Sequence, residues 1–122
     1  MQHCFIVDDS DIVRKYARLI FESLDFRVSD AAQTTGIAER FASDCPDFVI
    51  VDWRIPGCNT FEFIASVRKL NLARRPFIIY LATENDSADL QRAFKAGADD
   101  YLMKPFNREI IKIKLHEIRV AA

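Results

Sequence analysis

The sequence predicts an α/β fold in which a parallel five-stranded sheet is covered by helices on both faces. Short apolar runs alternate five times with segments whose apolar residues recur at helical spacing. The apolar runs are continuous, which is typical of strands buried on both faces of a parallel sheet. Right-handed crossover connections then place the helices on both sides of the sheet. The 122 residues fit one domain, and half of them are hydrophobic, which allows a substantial core.

The first half of the chain contains three predicted strands, at residues 4–7, 26–29 and 48–51. Ser10 or Asp11 can cap the helix that follows the first strand. The apolar residues of that helix are Val13, Tyr16, Ala17, Ile20 and Leu24. A second helix begins near Gly36, and its smaller apolar face consists of Ile37, Ala38, Phe41 and Ala42. Pro46 then ends this helix just before the third strand.

The second half of the chain contains two predicted strands, at residues 77–82 and 101–103, and helices over 60–70, over 87–96 and after Asn107. Pro56 and Gly57 predict the loop that separates the third strand from the next helix. Gly97 is placed to end the fourth helix, because glycine is the usual residue just after a helix. Asn107 can cap the last helix. The apolar stripe of that helix consists of Ile110, Ile111, Leu115 and Ile118, with Lys114 across it.

Composition excludes several kinds of partner. Seventeen basic and eighteen acidic residues give a net charge of -1, so the sequence lacks the basic surplus of a protein that binds nucleic acid or anionic membranes. No apolar run approaches the roughly 20 residues of a membrane span. Cys4, Cys45 and Cys58 lack metal-ligand spacing, which favours reduced thiols. The first residues lead directly into a strand, so we expect no secretory signal and a cytoplasmic location.

Charged and polar side chains lie where the predicted strands end. Asp8 and Asp9 follow the first strand, Asp52 the third, Thr83 the fourth and Lys104 the fifth. The carboxyl ends of parallel strands lie at one edge of the sheet, so these residues are expected to converge. Any one of these acids could simply cap a helix or begin a turn. Together, three carboxylates and an ammonium suit Mg²⁺ with a phosphoryl group, and an aspartate can act as the nucleophile.

The chain resembles the receiver domain of bacterial two-component response regulators, especially the single-domain chemotaxis-type proteins. The resemblance covers nearly the whole chain and rests on Asp8–Asp9, on Asp52, on residues 97–101 and on residues 104–106. It implies a flavodoxin-like (βα)5 fold, doubly wound, with strand order 2-1-3-4-5. It also implies that residues 1–122 are a single receiver domain without an effector domain. Such a domain is a signalling receiver that gains and loses its own phosphoryl group and is not a turnover enzyme.

The resemblance implies a role for each residue at the strand ends. Asp52 would take a phosphoryl group from a phosphohistidine of a histidine kinase or a phosphotransfer protein. Asp9, Asp52 and the backbone carbonyl of Arg54 would bind Mg²⁺ directly, and Asp8 would hold it through water. Lys104 would pair with the phosphoryl group. The peptide bond after Lys104 would be cis.

The position of the family's hydroxyl switch residue is occupied by Ala82, and the nearest hydroxyl is one residue later, at Thr83. Neighbouring side chains of a strand point in opposite directions, so Thr83 could replace the missing hydroxyl only if the strand slipped by one residue. We therefore expect the Thr83 backbone N–H, and not its side chain, to hold the phosphoryl group. Phosphorylation would survive, while its coupling to Tyr101, the aromatic residue that swings inward on activation in the family, would weaken.

Two further features distinguish the loops around the site. Thr60 stands where the family usually has glycine, and threonine tolerates a positive φ badly, so a reshaped and mobile loop is expected. Arg54 and Glu84 occupy the two rim positions that tune the lifetime of the phosphoryl group in the family. Their opposite charges could pair across the mouth of the site and hinder an attacking water. They could equally be two separate solvated charges.

Several functions compete for this sequence. A stand-alone signalling receiver would act by docking to a protein partner through the last two helices and strand five, with Tyr101, Phe94 or Ile113 as apolar contacts, as a monomer or weak homodimer. A phosphate sink or relay needs no shape change, which Ala82 favours. A hydrolase of the aspartyl-phosphate type is disfavoured because a second acid is missing two residues after Asp52. A DNA-binding regulator is disfavoured because the sequence has no surplus of basic residues. A receiver that is never phosphorylated is disfavoured by the complete set of acids and lysine.

Overall fold

The structure, a computed structural model, describes residues 1–121 and contains five strands that alternate with five helices. The strands are β1 (His3–Val7), β2 (Arg27–Ala31), β3 (Phe48–Asp52), β4 (Phe77–Ala82) and β5 (Asp100–Met103). The helices are α1 (Asp11–Ser23), α2 (Ile37–Ser43), α3 (Thr60–Arg68), α4 (Ser87–Ala96) and α5 (Arg108–Ala121). All neighbouring strands pair in parallel in the order β2-β1-β3-β4-β5. The predicted doubly wound fold and strand order are confirmed.

The core consists of two layers, one on each face of the sheet. Phe21 of α1 and Ile111 of α5 pack in the first layer, with alternate strand residues such as Ile50. The second layer contains Ile64 of α3 and Leu90 of α4, together with residues from α2 and the other strand positions. Successive strand side chains enter opposite layers because a strand has a two-residue period. This alternation explains why the strands read as continuous apolar runs.

The second strand begins later than the sequence predicts. The prediction of residues 26–29 is corrected to Arg27–Ala31. Asp25 has a φ of 67°, which turns the chain sharply after α1. The Phe26 N–H then donates to the carbonyl of Phe21 at 3.0 Å, so Phe26 closes the turn before the strand starts. Its buried ring packs in the first core layer, which is why its apolar character placed it in the predicted strand.

The buried face of α1 also differs from the prediction. Tyr16, expected inward, is 45% exposed, and its ring lies 5.9 Å from that of the buried Phe106. Phe21, which the prediction omitted, is buried instead. The helix is therefore rotated so that Ile12, Tyr16 and Leu19 form an exposed apolar stripe. Ile110 on α5 was likewise expected inward, and it is 41% exposed.

A half-buried arginine holds together the edge of the sheet that is opposite the strand ends carrying the acids. Arg68, at the end of α3, donates to the carbonyls of Gly97 and Pro76 at 2.9 and 2.7 Å. It also pairs with Asp99 at 2.6 Å, and that carboxylate accepts the N–H of Ile78 at 2.9 Å. One guanidinium thus links α3, the connector to β4 and the loop before β5.

Among the described residues, no helix is long and apolar enough to cross a membrane.

Gly97→Ala is expected to lower the free energy of unfolding by about 3 kcal/mol. Gly97 has a φ of 127°, a conformation that costs a residue with a Cβ roughly 1–2 kcal/mol. The added Cβ would also lie 2.6 Å from Cγ of Arg68, whose guanidinium is held by its three partners. Gly36→Ala is the matched control, since Gly36 has a φ of 74° and no atom within 4 Å of a Cβ. Urea unfolding should show a cost of about 1 kcal/mol for the control, and equal costs would contradict the clash.

Candidate functional site

The strand register brings two aspartates together at the carboxyl edge of the sheet. Val7 of β1 lies opposite Val51 of β3, so the next residues, Asp8 and Asp52, are neighbours. Both are buried, with 0% and 3% of their surface exposed. Asp9 is exposed, and one carboxylate oxygen from each of the three aspartates lies within 4.8 Å of the others. The predicted convergence of the acids is thus found in the structure.

Lys104 reaches the same point from the end of β5. Its backbone N–H donates to the carbonyl of Ala82 at 2.7 Å, which fixes the chain just beyond the strand. Its Nζ lies 2.8 Å from Oδ2 of Asp8 and 2.8 Å from Oδ1 of Asp52. Within residues 1–121 these two buried oxygens have no well-directed hydrogen-bond donor, so the ammonium holds them by charge. Carboxylates outnumber the ammonium three to one at this point.

The electrostatics of the site follow from its burial. Burial raises the pKa of Asp52, the charge of Asp8 adds to this rise, and Lys104 only partly opposes it. Burial alone would lower the pKa of Lys104, but the close negative charges of Asp52 and Asp8 outweigh burial and raise that pKa. The lysine therefore stays charged at neutral pH. The excess negative charge favours binding of a further cation.

The donor set fits a hard divalent cation. Mg²⁺ prefers oxygen ligands at about 2.0–2.1 Å, so two ligand oxygens lie at most about 4.2 Å apart. One oxygen of each of the three carboxylates lies within 4.8 Å of the others, so the three groups converge on a point where a cation could be held. The buried oxygens of Asp8 and Asp52 without well-directed donors are the kind of groups a cation would satisfy. The backbone N–H of Arg54 faces the carboxylate of Asp52 and opposes the rise in its pKa.

The loop that carries Asp8 is fixed by a residue that the sequence analysis missed. Arg14 on α1 donates to the backbone carbonyl of Asp8 at 2.6 Å. Its guanidinium also pairs with Asp11 and lies 3.6 Å from Asp30 on β2. The N–H of Ser10 donates to Oδ1 of Asp8 at 2.9 Å. Arg14 follows Asp8 by six residues and falls outside every predicted stripe, so only the folded path of the chain shows its role.

The loop after β3 corrects the expectation for Thr60. Thr60 is the first residue of α3 and is buried, and Asp25 is the one non-glycine with a positive φ among the described residues. Gly57, with a φ of 74°, makes the sharp turn instead. The hydroxyl of Thr60 lies 3.0 Å from the carbonyl of Asp52 and 3.2 Å from that of Trp53. Thr60 therefore does not have to adopt a positive φ, so the reason given for a reshaped loop is wrong, and the mobility of the loop stays a prediction.

The end of β4 shows no slip that would bring a hydroxyl inward. Ala82 pairs with Met103 of β5 and is buried in the core layer under α3 and α4. Thr83 follows the end of the strand, and its side chain is exposed. The structure thus keeps Ala82 in the inward position, as the strand alternation predicts. The role of the Thr83 backbone N–H stays a prediction.

Tyr101 is half-buried at the surface formed by α4, β5 and α5. Its ring contacts that of Phe94 edge to face, with centroids 6.3 Å apart. The Nζ of Lys114 lies 5.2 Å from the centre of the Tyr101 ring and pairs with Asp100 at 3.1 Å. The Lys104–Pro105 peptide bond is cis, as expected. The inward swing of Tyr101 stays a prediction.

The two rim residues do not form the pair considered in the sequence analysis. Arg54 and Glu84 are both exposed, and no ion pair joins them within the described part of the chain. Glu84 lines a shallow cleft with Trp53, Thr83 and Asp86. The structure thus shows the alternative of two separate solvated charges. Their effect on the lifetime of a phosphoryl group stays a prediction.

A doubly wound parallel sheet that brings three carboxylates and a lysine together at its carboxyl edge is the arrangement of a phosphoryl-accepting signalling domain. The chain belongs to the response regulator receiver domain family, which matches residues 4–116. Receivers of this family act in two-component systems, and the acidic cluster of buried Asp8 and Asp52 with exposed Asp9 fits a phosphorylation site.

Known relatives of similar length support the family assignment. Chemotaxis protein CheY1 of Helicobacter pylori is 29% identical over 115 residues, which are 93% of this chain and 93% of that protein. The structure of chemotaxis response regulator CheY4 of Vibrio cholerae has a TM-score of 0.88 at 27% identity and covers 97% of this chain and 98% of its own.

Two other comparisons bear on the site and on chain length. The receiver domain of sensor histidine kinase PA1611 from Pseudomonas aeruginosa has a TM-score of 0.83 at 25% identity, over 95% of both chains. Its structure has a magnesium ion coordinated in the active-site cleft. This chain spans only 44% to 48% of the length of transcriptional regulatory proteins that are 26% to 28% identical to it.

Proposed function

We propose that this receiver takes a phosphoryl group on Asp52 from a phosphohistidine, in a reaction that depends on Mg²⁺. The observation that carries the proposal is the buried pair of Asp8 and Asp52 held by Lys104, with Asp9 beside it. Asp52 is the natural acceptor because it ends the central strand β3, between the residues contributed by β1 and β5. Phosphoryl transfer to a carboxylate needs the nucleophilic carboxylate itself, a cation site and a fixed positive charge.

The proposed transfer is a displacement at phosphorus. A carboxylate oxygen of Asp52 forms a bond to phosphorus while the bond from phosphorus to the imidazole nitrogen breaks, and that electron pair stays on the imidazole. With acetyl phosphate as donor, the bond to the acetate oxygen breaks instead, and acetate leaves. The product in both cases is an acyl phosphate on Asp52. Lys104 lies 2.8 Å from the attacking carboxylate and can move onto the phosphoryl oxygens as its partner charge.

Asp9, Asp52 and the carbonyl of Arg54 are proposed to hold Mg²⁺ directly, with Asp8 acting through water. When bound, the cation would neutralise negative charge on the phosphoryl oxygens. The magnesium in the cleft of the PA1611 receiver, which is 25% identical, supports this proposal. The backbone N–H of Thr83 is proposed as a further donor to the phosphoryl group. The domain would gain and lose its own phosphoryl group and would not turn over an external substrate.

The output is proposed to be docking of a protein partner to the surface of α4, β5 and α5. Phe94, Ile110 and Ile113 are 42%, 41% and 59% exposed there, and Tyr101 lies between the helices. The donor would be a histidine kinase or a phosphotransfer protein, which must cover the mouth of the site. The exposed stripe on α1 begins beside that mouth, directly after Asp9, and offers apolar contact. We propose no nucleic-acid or membrane partner.

The remaining features of the proposal concern the form of the protein. Residues 1–122 are proposed to act as a single receiver domain, as a monomer or weak homodimer in the cytoplasm. Cys4 and Cys45 are buried free thiols, which fits a reducing compartment. The alternative is a phosphate sink or relay without a shape change, because Ala82 lacks the hydroxyl of the family's switch residue.

The test is phosphorylation of the native protein by acetyl phosphate, with Mg²⁺ and with EDTA, read by intact mass. We expect the gain of one phosphoryl group with Mg²⁺ and none with EDTA. Amide hydrogen exchange of α4 and β5 is measured on the same samples. A mass gain with altered exchange supports the docking switch, and a mass gain without it supports the sink or relay. No mass gain, even with candidate histidine kinases, would overturn the proposed function.

A further inference from the structure

The hydroxyl of Thr60 is tied to the backbone of the segment that carries Asp52. Thr60 is only 4% exposed. Its Oγ1 lies 3.0 Å from the carbonyl oxygen of Asp52 and 3.2 Å from that of Trp53. A threonine hydroxyl has one proton, so it donates to either carbonyl or is shared between them. The contact joins the start of α3 to the last residue of β3 and to the residue that follows it.

This hydroxyl is not needed to start the helix. Asn59 already caps α3, because its side-chain oxygen accepts the N–H of Glu62 at 3.1 Å. The Phe63 N–H bonds to the carbonyl of Asn59 at 2.9 Å, as in an ordinary first turn. The hydroxyl of Thr60 is therefore available to donate to the carbonyls that come eight and seven residues earlier. A role in holding the loop is thus separable from a role in capping.

The two carbonyls belong to a point where the sheet stops supporting the backbone. The Trp53 N–H still bonds to the carbonyl of Leu81 at 2.9 Å, which is the last sheet-like contact on that side. Beyond it the chain turns away through Arg54. A buried carbonyl without a donor is unfavourable, so a hydroxyl at this point both satisfies and orients it. The orientation of these peptide planes sets the directions of the Asp52 side chain and of the Arg54 carbonyl.

We infer that Thr60 is a positioning residue for the phosphoacceptor site. Its hydroxyl holds the peptide planes after Asp52 so that the carboxylate of Asp52 and the carbonyl of Arg54 point to the same cation. The inference rests on the proposed function, because it concerns the residues proposed to bind Mg²⁺. Outer contacts of this kind change metal affinity by about 10- to 100-fold when removed. Thr60 itself touches neither the cation nor the phosphoryl group.

The experiment compares Thr60→Val, which keeps the shape and removes the hydroxyl, with Thr60→Ser, which keeps the hydroxyl. Mg²⁺ binding is followed by the fluorescence of Trp53, the single tryptophan, which adjoins Asp52. We expect Thr60→Val to raise the Mg²⁺ dissociation constant about tenfold and to slow phosphoryl gain from acetyl phosphate. Thr60→Ser should stay within about twofold of the native protein. Thr35→Val is the matched control, since Thr35 is exposed and distant in sequence, and should match the native protein.

Unfolding by urea separates positioning from a merely structural role. A Thr60→Val protein that is less stable but binds Mg²⁺ and gains the phosphoryl group like the native protein would overturn the inference. If Thr60→Val does not fold, Thr60→Ala removes the hydroxyl with a smaller side chain and is judged by the same dissociation constant. A native protein that neither responds to Mg²⁺ nor gains mass contradicts the proposed function itself. That result is read on the native protein alone, so the two failures are distinguishable.

Discussion

Asp52→Asn is expected to abolish phosphoryl gain from acetyl phosphate, because a neutral amide does not replace the carboxylate nucleophile. The measurement is intact mass after incubation with Mg²⁺, with the native protein alongside. Asp11→Asn is the matched control, since Asp11 is an exposed acid of the same edge that pairs only with Arg14 within the described residues. The control should gain the phosphoryl group at close to the native rate. A mass gain retained by Asp52→Asn would assign the acceptor to another residue.

The same variant should lose most of the stabilisation that Mg²⁺ gives. Ligand that binds only the folded state at 100 times its dissociation constant adds about 2.7 kcal/mol to the free energy of unfolding. Asp52→Asn removes one proposed direct ligand, so its melting temperature should respond less to Mg²⁺ than that of the native protein. Without Mg²⁺ we expect the variant to be at least as stable, because Asp52 is a buried acid crowded by Asp8. An equal Mg²⁺ response in both proteins would exclude Asp52 as a ligand.

The positions of the acids and the lysine were predictable because they depend on topology alone. In a parallel sheet every strand ends at the same edge, so Asp8, Asp52 and Lys104 converge whatever the details of the loops. The resemblance placed Ala82 at the inward switch position, and strand alternation predicted that Thr83 points the other way. Each of these predictions concerns where a strand ends or which way a side chain points, and the two-residue period of a strand fixes the direction of each side chain. The structure agrees with each of these placements.

The supporting contacts were not predictable, because they depend on the path of loops. Arg14 reaches the Asp8 carbonyl across a helix turn, and Thr60 reaches back to Asp52 across a turn made at Gly57. The spacing of these residues along the sequence does not reveal either contact. The prediction of the buried face of α1 was wrong for a related reason. The apolar stripe of a helix is about 100° wide, so the pattern does not decide whether a residue at its edge is buried or exposed. Tyr16 lies at such an edge and is exposed, while Phe21 is buried.

Lys104→Met should be the most destabilising change at the site. It leaves the carboxylates of Asp8 and Asp52 with side chains 0% and 5% exposed and without the ammonium that lies 2.8 Å from both. Removing one partner from a buried ion pair typically costs about 3–5 kcal/mol, and here two acids would also repel each other. We expect a loss of at least about 3 kcal/mol by urea unfolding without Mg²⁺. Phosphoryl gain should slow by about 100-fold or more, because a fixed charge facing the phosphoryl group is lost.

Two comparisons show whether this cost arises from unpaired charge. Lys114→Met is the matched control, because Lys114 is as buried as Lys104, with 20% against 19% of the side chain exposed, and pairs with Asp100. It should cost about 1 kcal/mol and leave phosphoryl gain within about twofold of native. The double variant Lys104→Met/Asp52→Asn should recover much of the lost stability, since one buried acid then remains beside methionine. Mg²⁺ should also stabilise Lys104→Met more than the native protein, because the cation replaces the missing positive charge. If the double variant were as unstable as Lys104→Met, lost packing of the lysine stem, and not charge, would explain the effect.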